Sequence, residues 1–279
     1  MLPFVKMQGL GNDFVLIDCT QRSPAEDALP PLAKAICDRH FGVGADGLIL
    51  VLRSRTANFR MRIFNSDGSE AEMCGNGIRC FAKHVYESGL FTTEEPEVET
   101  LAGVIKPKLT VKRGKVVSVQ VDMGKPRLSR KDIPMKGKDE RVIGGKLRVL
   151  GERHEITALS MGNPHCVIFA DDVERFPVET VGPAIERHDL FPRRTNVEFV
   201  QTLGAEEIRM RVWERGVGET LACGTGASAA VVAGVLTGRT ARKVNVHLRG
   251  GDLRVEWRAA DEHVFITGPA EEVFRGEWP

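Results

Sequence analysis

The sequence predicts an α+β protein made of two similar domains, each a curled, mostly antiparallel sheet around a central helix. Three observations carry that expectation. The segment Gly68–Phe81 contains Glu70-Ala71-Glu72-Met73-Cys74-Gly75-Asn76-Gly77, and Gly218–Ala229 contains Glu219-Thr220-Leu221-Ala222-Cys223-Gly224-Thr225-Gly226. Cys74 and Cys223 are 149 residues apart (223 − 74), and at that offset Arg60-Met61-Arg62-Ile63-Phe64 matches Arg209-Met210-Arg211-Val212-Trp213. Each half therefore reads as a β-rich alternating strand, a glycine turn carrying a cysteine, and a helix. Predicted strands also outnumber predicted helices and run in meanders, which favours an α+β domain with a sheet curled around a central helix.

In chain order, Phe4–Gln8 and Phe14–Asp18 read as strands around the turn Gly9-Leu10-Gly11-Asn12, and Pro30–Arg39 as a helix. Gly42-Val43-Gly44-Ala45-Asp46-Gly47 has the G-x-G-x-x-G spacing, but a helix precedes it and the strand-like Leu48–Leu52 follows. A dinucleotide fingerprint needs the opposite order, so it is set aside. The strand Phe59–Phe64 leads through the cysteine turn into a helix from Gly75 to Glu87. Val98–Thr100, Val104–Val111 and Val116–Val121 form a meander. Gly124–Gly145, rich in Lys, Arg, Gly and Pro, reads as the connection between domains 1–122 and 123–268, and its basic run Lys125–Lys146 as a solvated linker rather than a binding patch. The plan then repeats: strands at Leu147–Leu150, His154–Leu159 and Cys166–Ala170, a helix at Val178–Arg187, strands at Val197–Gln201 and Ile208–Trp213, and the helix Gly224–Leu236. That last helix has almost no polar face and belongs inside its domain. Val244–Leu248, Leu253–Trp257 and Val264–Thr267 read as strands.

Composition limits the function. A formal charge of +1 on 279 residues, with dispersed basic side chains, gives no field suited to nucleic acid. No apolar run is long enough to span a bilayer, and no signal-peptide core is visible. The six cysteines show no secreted framework, so free thiols in a cytoplasmic protein are expected. Cys19, Cys37, Cys80 and Cys166 read as small buried hydrophobes. Cys74 and Cys80 lack a second Cys/His pair to complete a zinc site, so no metal is expected. A redox pair at Cys74 and Cys223 leaves the glycine turns unexplained.

The chemistry is read from those turns. The first N–H groups of a helix have no internal partner, and the macrodipole adds partial positive charge there. A thiol at that position is expected to have a lowered pKa, and bare glycine N–H groups make a seat for a carboxylate. Two such starts facing one substrate across an interdomain cleft suit removing a proton from one face of a carbon and returning one to the other. Asn12 and Asn163 follow glycine in corresponding turns, and Asn65 and Glu214 share one repeat position. Glu70 and Glu219 are expected to favour the helix starts electrostatically.

The segments Gly11-Asn12-Asp13-Phe14, Gly42–Gly47, Asn65–Gly77, Gly162-Asn163-Pro164-His165, Thr195-Asn196-Val197-Glu198 and Trp213–Gly226 resemble, in order, those of the diaminopimelate epimerase family. The resemblance implies a cofactor-independent epimerase that interconverts LL- and meso-2,6-diaminopimelate on the route to lysine and cell-wall precursors. It implies Cys74 and Cys223 as the acid–base pair. Gly75, Asn76, Gly224 and Thr225 are then the donors to the reacting carboxylate, and Asn12, Asn65, Asn163, Asn196, Glu214 and Arg215 hold the remainder of the substrate. His165 and Glu214 tune the thiols. The resemblance also implies that 269–279 returns to the first domain and that Phe274 lies near a homodimer contact. Two rivals are an isomerase of proline or hydroxyproline, whose compact ring has no use for Arg215, and a non-catalytic binder of an acidic amino acid.

Overall fold

The two halves of the chain use the same strand order around equivalent helices, as the computed structural model of residues 1–138 and 140–279 shows. One unit comprises Met1–Asp122 with Thr267–Pro279, the other Met123–Ile266.

The first unit contains β1 (Leu2–Gly9), β2 (Asn12–Asp18), α1 (Leu29–Cys37), β3 (Gly47–Arg53), β4 (Phe59–Asn65), β5 (Glu70–Ala71), α2 (Gly75–Glu87), β6 (Val98–Thr100), β7 (Gly103–Ile105), β8 (Lys108–Lys112) and β9 (Lys115–Asp122). The second contains β10 (Val142–Val149), β11 (Glu152–Ser160), β12 (Pro164–Phe169), α3 (Val178–Glu186), β13 (Asn196–Gly204), β14 (Glu207–Glu214), β15 (Gly218–Thr220), α4 (Gly224–Leu236), β16 (Lys243–Leu248), β17 (Gly251–Trp257) and β18 (Val264–Gly268). From Thr267, near the end of β18, the chain belongs to the first unit again, where it forms β19 (Glu271–Trp278).

Strand order in the first sheet is β19-β1-β2-β3-β4-β6-β7, with β5 beside β4; within the second unit the strands run β10-β11-β12-β13-β14-β16-β17-β18, with β15 beside β14. The β2–β3 and β4–β6 pairs are parallel, and so are their counterparts β12–β13 and β14–β16. Helices α2 and α4 have 13 residues each and start 149 residues apart.

The core explains why these segments fold as they do. In the first unit Leu29, Ala33 and Ile36 of α1 pack against Val15, Ile17, Leu48, Leu50 and Phe64. In the second, Val181 and Ile185 of α3 pack against Ile156, Ile168, Val197 and Phe199. Each such Val, Leu, Ile or Phe side chain contributes about 1.5–3 kcal/mol on leaving water. The Ala/Val run of α4 is buried from Gly226 through Gly234, as its lack of a polar face requires.

Three expectations are corrected. The basic stretch 125–146 is not a solvated connection: Ile133 and Met135 are buried in the second core, and isolated bridges join Arg127 to Ser160 and Ser129 to Arg141. A few apolar residues, Ile133, Met135 and Val142, together with those bridges outweigh a strongly charged composition; Asp139 within the stretch lies outside the described residues. Val104–Val111 is two strands, because Pro107 sits at the break and supplies no N–H to a ladder. Glu70 and Glu219 do not serve the helix starts. Each takes a two-point grip on the arginine eight residues before it: Arg62 Nε and Nη2 donate to Glu70 at 2.7 and 2.9 Å, and Arg211 Nε and Nη2 donate to Glu219 at 2.7 and 2.9 Å. Among the described residues no helix is long and apolar enough to cross a membrane.

Arg79, in the middle of α2, is fully buried. It donates to Pro269 O at 3.1 Å, Gly75 O at 3.1 Å and Asn76 Oδ1 at 2.9 Å, tying the returning tail to the helix. Arg79→Met removes the side-chain donor to all three acceptors, the buried Asn76 amide oxygen among them, and is expected to destabilise the first unit by roughly 3 kcal/mol, read as lost amide protection in α2 on hydrogen exchange. In the second unit, a Cβ on Gly182 of α3 meets Trp213 Cγ at 2.7 Å. Gly182→Ala is expected to cost about 1–3 kcal/mol through overpacking, read as a lower urea midpoint with unchanged slope.

Candidate active site

Both cysteines are N-caps. Cys74 precedes α2 with φ −137° and ψ 123°, and Cys223 precedes α4 with φ −133° and ψ 113°. Each carbonyl accepts the first helical bond at 2.9 Å, from Ile78 N–H in one half and Ala227 N–H in the other. The extended backbone swings the thiol over the first turn, where the N–H groups have no helical acceptor. Gly77 N–H donates to Cys74 Sγ at 3.5 Å. The glycines permit close approach: a Cβ on Gly226 meets Glu198 Oε1 at 2.9 Å and Cys223 Sγ at 3.4 Å.

Around Cys74 the first unit assembles asparagines. The thiol donates to Asn12 Oδ1 at 3.6 Å, Asn76 Nδ2 donates to the same oxygen at 3.1 Å, and Asn12 Nδ2 donates to Asp46 Oδ2 at 2.7 Å. Asn12, Cys74 and Asn76 are thus one hydrogen-bonded group, with Arg79 behind it holding Asn76. Asn65 stands exposed at the end of β4, where its amide donates to Ser69 Oγ at 2.9 Å.

Around Cys223 the second unit builds a longer chain. Thr225 Oγ1 lies 3.4 Å from Cys223 Sγ and accepts from Asn163 Nδ2 at 3.3 Å. Asn163 Oδ1 is 2.9 Å from His165 Nε2, and His165 Nδ1 is 2.6 Å from Glu198 Oε1. His165 and Glu198 are completely buried. Asn196 forms a separate group: its amide donates to Pro164 O at 2.9 Å, and its Oδ1 accepts from the Arg215 backbone N–H at 2.9 Å. Arg215 is exposed, and its guanidinium donates to Arg193 O at 3.3 Å. Glu214 accepts from the Thr220 hydroxyl.

The Cys223 thiol is raised rather than lowered overall, contrary to expectation. Burial pushes it well above its ordinary value and the nearby Glu214 carboxyl adds to this, against the opposing pull of Thr225 and the Gly226 N–H. Burial also raises Glu198, and His165 opposes it. Cys19 and Cys37 are likewise raised by burial, to about 11 and about 12, in keeping with inert core thiols.

Glu198 and Arg79 were not singled out by sequence reasoning. A signal existed for Glu198: an acid inside the apolar run Val197–Val200, at the repeat position where the first half has Ile49. Arg79 carried none, since an arginine on a helix is ordinarily a solvated one. Among the described residues, no cluster of three or more His, Cys, Asp or Glu could hold a metal ion.

The diaminopimelate epimerase family model matches residues 4–129 and 157–273. A diaminopimelate epimerase of Moorella thermoacetica is 62% identical over 99% of this chain and 99% of its own length. One from Pelotomaculum thermopropionicum is 60% identical over 99% and 98%. Among solved structures, a phenazine biosynthesis protein of the PhzF family from Bacillus anthracis aligns with a TM-score of 0.71 at 19% identity, over 100% of this chain and 99% of that one. A hydroxyproline epimerase from Agrobacterium vitis aligns at 0.69 and 15% identity, over 99% and 91%. At such identities these two likenesses show the fold alone. The sequence matches go further: the chain belongs to the diaminopimelate epimerase family.

Proposed function

We propose that this chain interconverts LL- and meso-2,6-diaminopimelate in lysine and cell-wall precursor biosynthesis, with Cys74 and Cys223 as the acid–base pair. The observation that carries this reading is the repeated N-cap cysteine, with one backbone conformation at two helix starts. An amino-acid α-proton is weakly acidic, so its removal needs the developing carbanion stabilised. In this reading the N–H groups of Gly75, Asn76, Gly224 and Thr225 donate to the attached carboxylate and, fixed in helix starts, supply that potential without reorganising during the reaction. Inversion requires one sulphur to take a proton and the other to give one. Burial keeps Cys223 protonated, the form that gives, so the base in that direction is Cys74.

Asn12, Asn65, Asn163, Asn196, Glu214 and Arg215 are the proposed holders of the rest of the substrate. A second amino-acid head needs such groups, whereas a proline ring does not. His165 and Glu214 tune the thiols. Five cysteines buried as free thiols support a cytoplasmic location, and exposed Val273 and Phe274 on the edge strand β19 support a homodimer.

Purified protein given LL-diaminopimelate is expected to form the meso isomer and to take up deuterium at the α-carbon from heavy water, while proline and hydroxyproline remain unchanged. Binding without label overturns an enzymatic reading, and turnover of proline instead overturns the substrate. Cys74→Ala and Cys223→Ala are each expected to abolish epimerisation, and Cys→Ser at either position to slow it at least about a hundredfold, because a hydroxyl is a much weaker acid than a thiol. Near-normal epimerisation by a folded Cys→Ala variant would falsify the two-thiol mechanism.

A further inference from the structure

The repeat supplies an internal comparison for the pair His165–Glu198. In the first unit Phe14 of β2 pairs in parallel register with Gly47 of β3; in the second His165 of β12 pairs in the same way with Asn196 of β13. Two residues further along, Ile49 and Glu198 occupy one position. Ile49 Cδ1 sits 3.2 Å from where a Gly77 Cβ would be, and Glu198 Oε1 sits 2.9 Å from where a Gly226 Cβ would be. Phe14 and Ile49 are buried, as are His165 and Glu198. One half thus fills the space under its cysteine turn with hydrocarbon, and the other with an imidazole and a carboxyl. Packing alone does not call for that difference, since replacing a buried polar pair by apolar groups of similar size is commonly neutral or stabilising.

The hydrogen-bond directions show what the polar pair achieves. Asn163 uses its NH₂ on Thr225, so its Oδ1 faces His165 Nε2 and that nitrogen carries the proton. His165 Nδ1 is then either the second N–H of an imidazolium beside a carboxylate or an acceptor for a carboxylic acid. Glu198 Oε2 is buried with no hydrogen-bond partner. A full carboxylate charge with one bare oxygen in such a place is far costlier than a bare acid carbonyl. Burial also raises Glu198, in the same sense.

We propose that Glu198 is a positioning residue which, as the neutral acid, donates to His165 Nδ1 and thereby aligns every donor from His165 through Asn163 and Thr225 toward the Cys223 sulphur. Glu198 O–H donates to Nδ1, Nε2–H to Asn163 Oδ1, Asn163 Nδ2 to Thr225 Oγ1, and the Thr225 hydroxyl to sulphur. The chain stabilises the thiolate left when Cys223 gives up its proton, against burial and against Glu214. The groups facing this path are Cys166 on β12, Glu198 on β13, Glu214 on β14, and Thr225 with the Gly226 N–H on α4. The inference rests on the role given to Cys223 above, but its test does not depend on which substrate is turned over.

The test has two parts on the full chain. Nitrogen-15 NMR of the histidine-labelled wild-type protein is expected to show His165 neutral, with a pyridine-type Nδ1 and a pyrrole-type Nε2. An imidazolium signature there overturns the proposal whatever the variants do. Alkylation of Cys223 by iodoacetamide, followed by mass spectrometry across pH, reads the thiolate directly. Glu198→Ile, and the double variant His165→Phe/Glu198→Ile that copies the first unit's pair, are expected to move the Cys223 profile to higher pH. Epimerisation by either is expected to fall about tenfold to a hundredfold, the scale of one hydrogen bond to a charged group. Glu198→Gln, whose amide N–H can still donate to Nδ1, is expected to recover most of both losses. A Gln variant as impaired as the Ile variant, or a double variant with an unshifted alkylation profile, overturns the proposal. Shifted alkylation without any diaminopimelate turnover sinks the assigned reaction while leaving this inference standing.

Discussion

The unsatisfied N–H groups at the starts of α2 and α4 are the constraint on which the rest depends. A helix end buried in a domain must find acceptors, and at the start of α2 the Cys74 sulphur meets the demand in part. The flanking glycines keep the remaining N–H groups uncovered. For the cap to be extended and the next residue helical, the chain must arrive as a strand and turn sharply, which is what β5 and β15 do beside β4 and β14. The Arg62–Glu70 and Arg211–Glu219 forks pin those turns to their strands. Sheet, turn and helix in each unit are thus arranged around one cap residue.

Repetition of that arrangement made the fold class legible. The 149-residue offset aligned strand, turn and helix in both halves, and the fold likenesses agree with two sheet-rich repeats. The strongly alternating strands and the Ala/Val helix α4 could be read because their burial is local in cause. β19 could not: Glu271-Glu272-Val273-Phe274-Arg275 is an exposed edge with no clear period, and it is a strand because β1 offers an unpaired edge. The basic stretch misled because composition averages over the few apolar residues, Ile133, Met135 and Val142, that decide its place.

At the candidate site, the asparagines that follow glycine could be picked out because a turn recurs at both. The structure joins Asn12 to Cys74, and Asn163 through Thr225 to Cys223. What pattern could not reveal is environment. Glu198 reads as an ordinary acid in a strand until its burial and its bond to His165 are seen, and Arg79 reads as a surface cation until its three backbone and amide acceptors are seen. Likewise a helix-start rule predicts a lowered thiol at Cys223, but the rule assumes water nearby, and burial reverses its sign.

The return of β19 to the first unit has a consequence for biogenesis. The second unit is one continuous stretch, Met123–Ile266, whereas the first lacks its β1 partner until 271–278 have been made. During synthesis the stretch that emerges first is therefore the one that must wait, with β1 exposed as an open edge, while the later stretch has all its strands to hand. The ordinary vectorial order of domain maturation is inverted, and chaperone engagement should concentrate on the early half of the nascent chain.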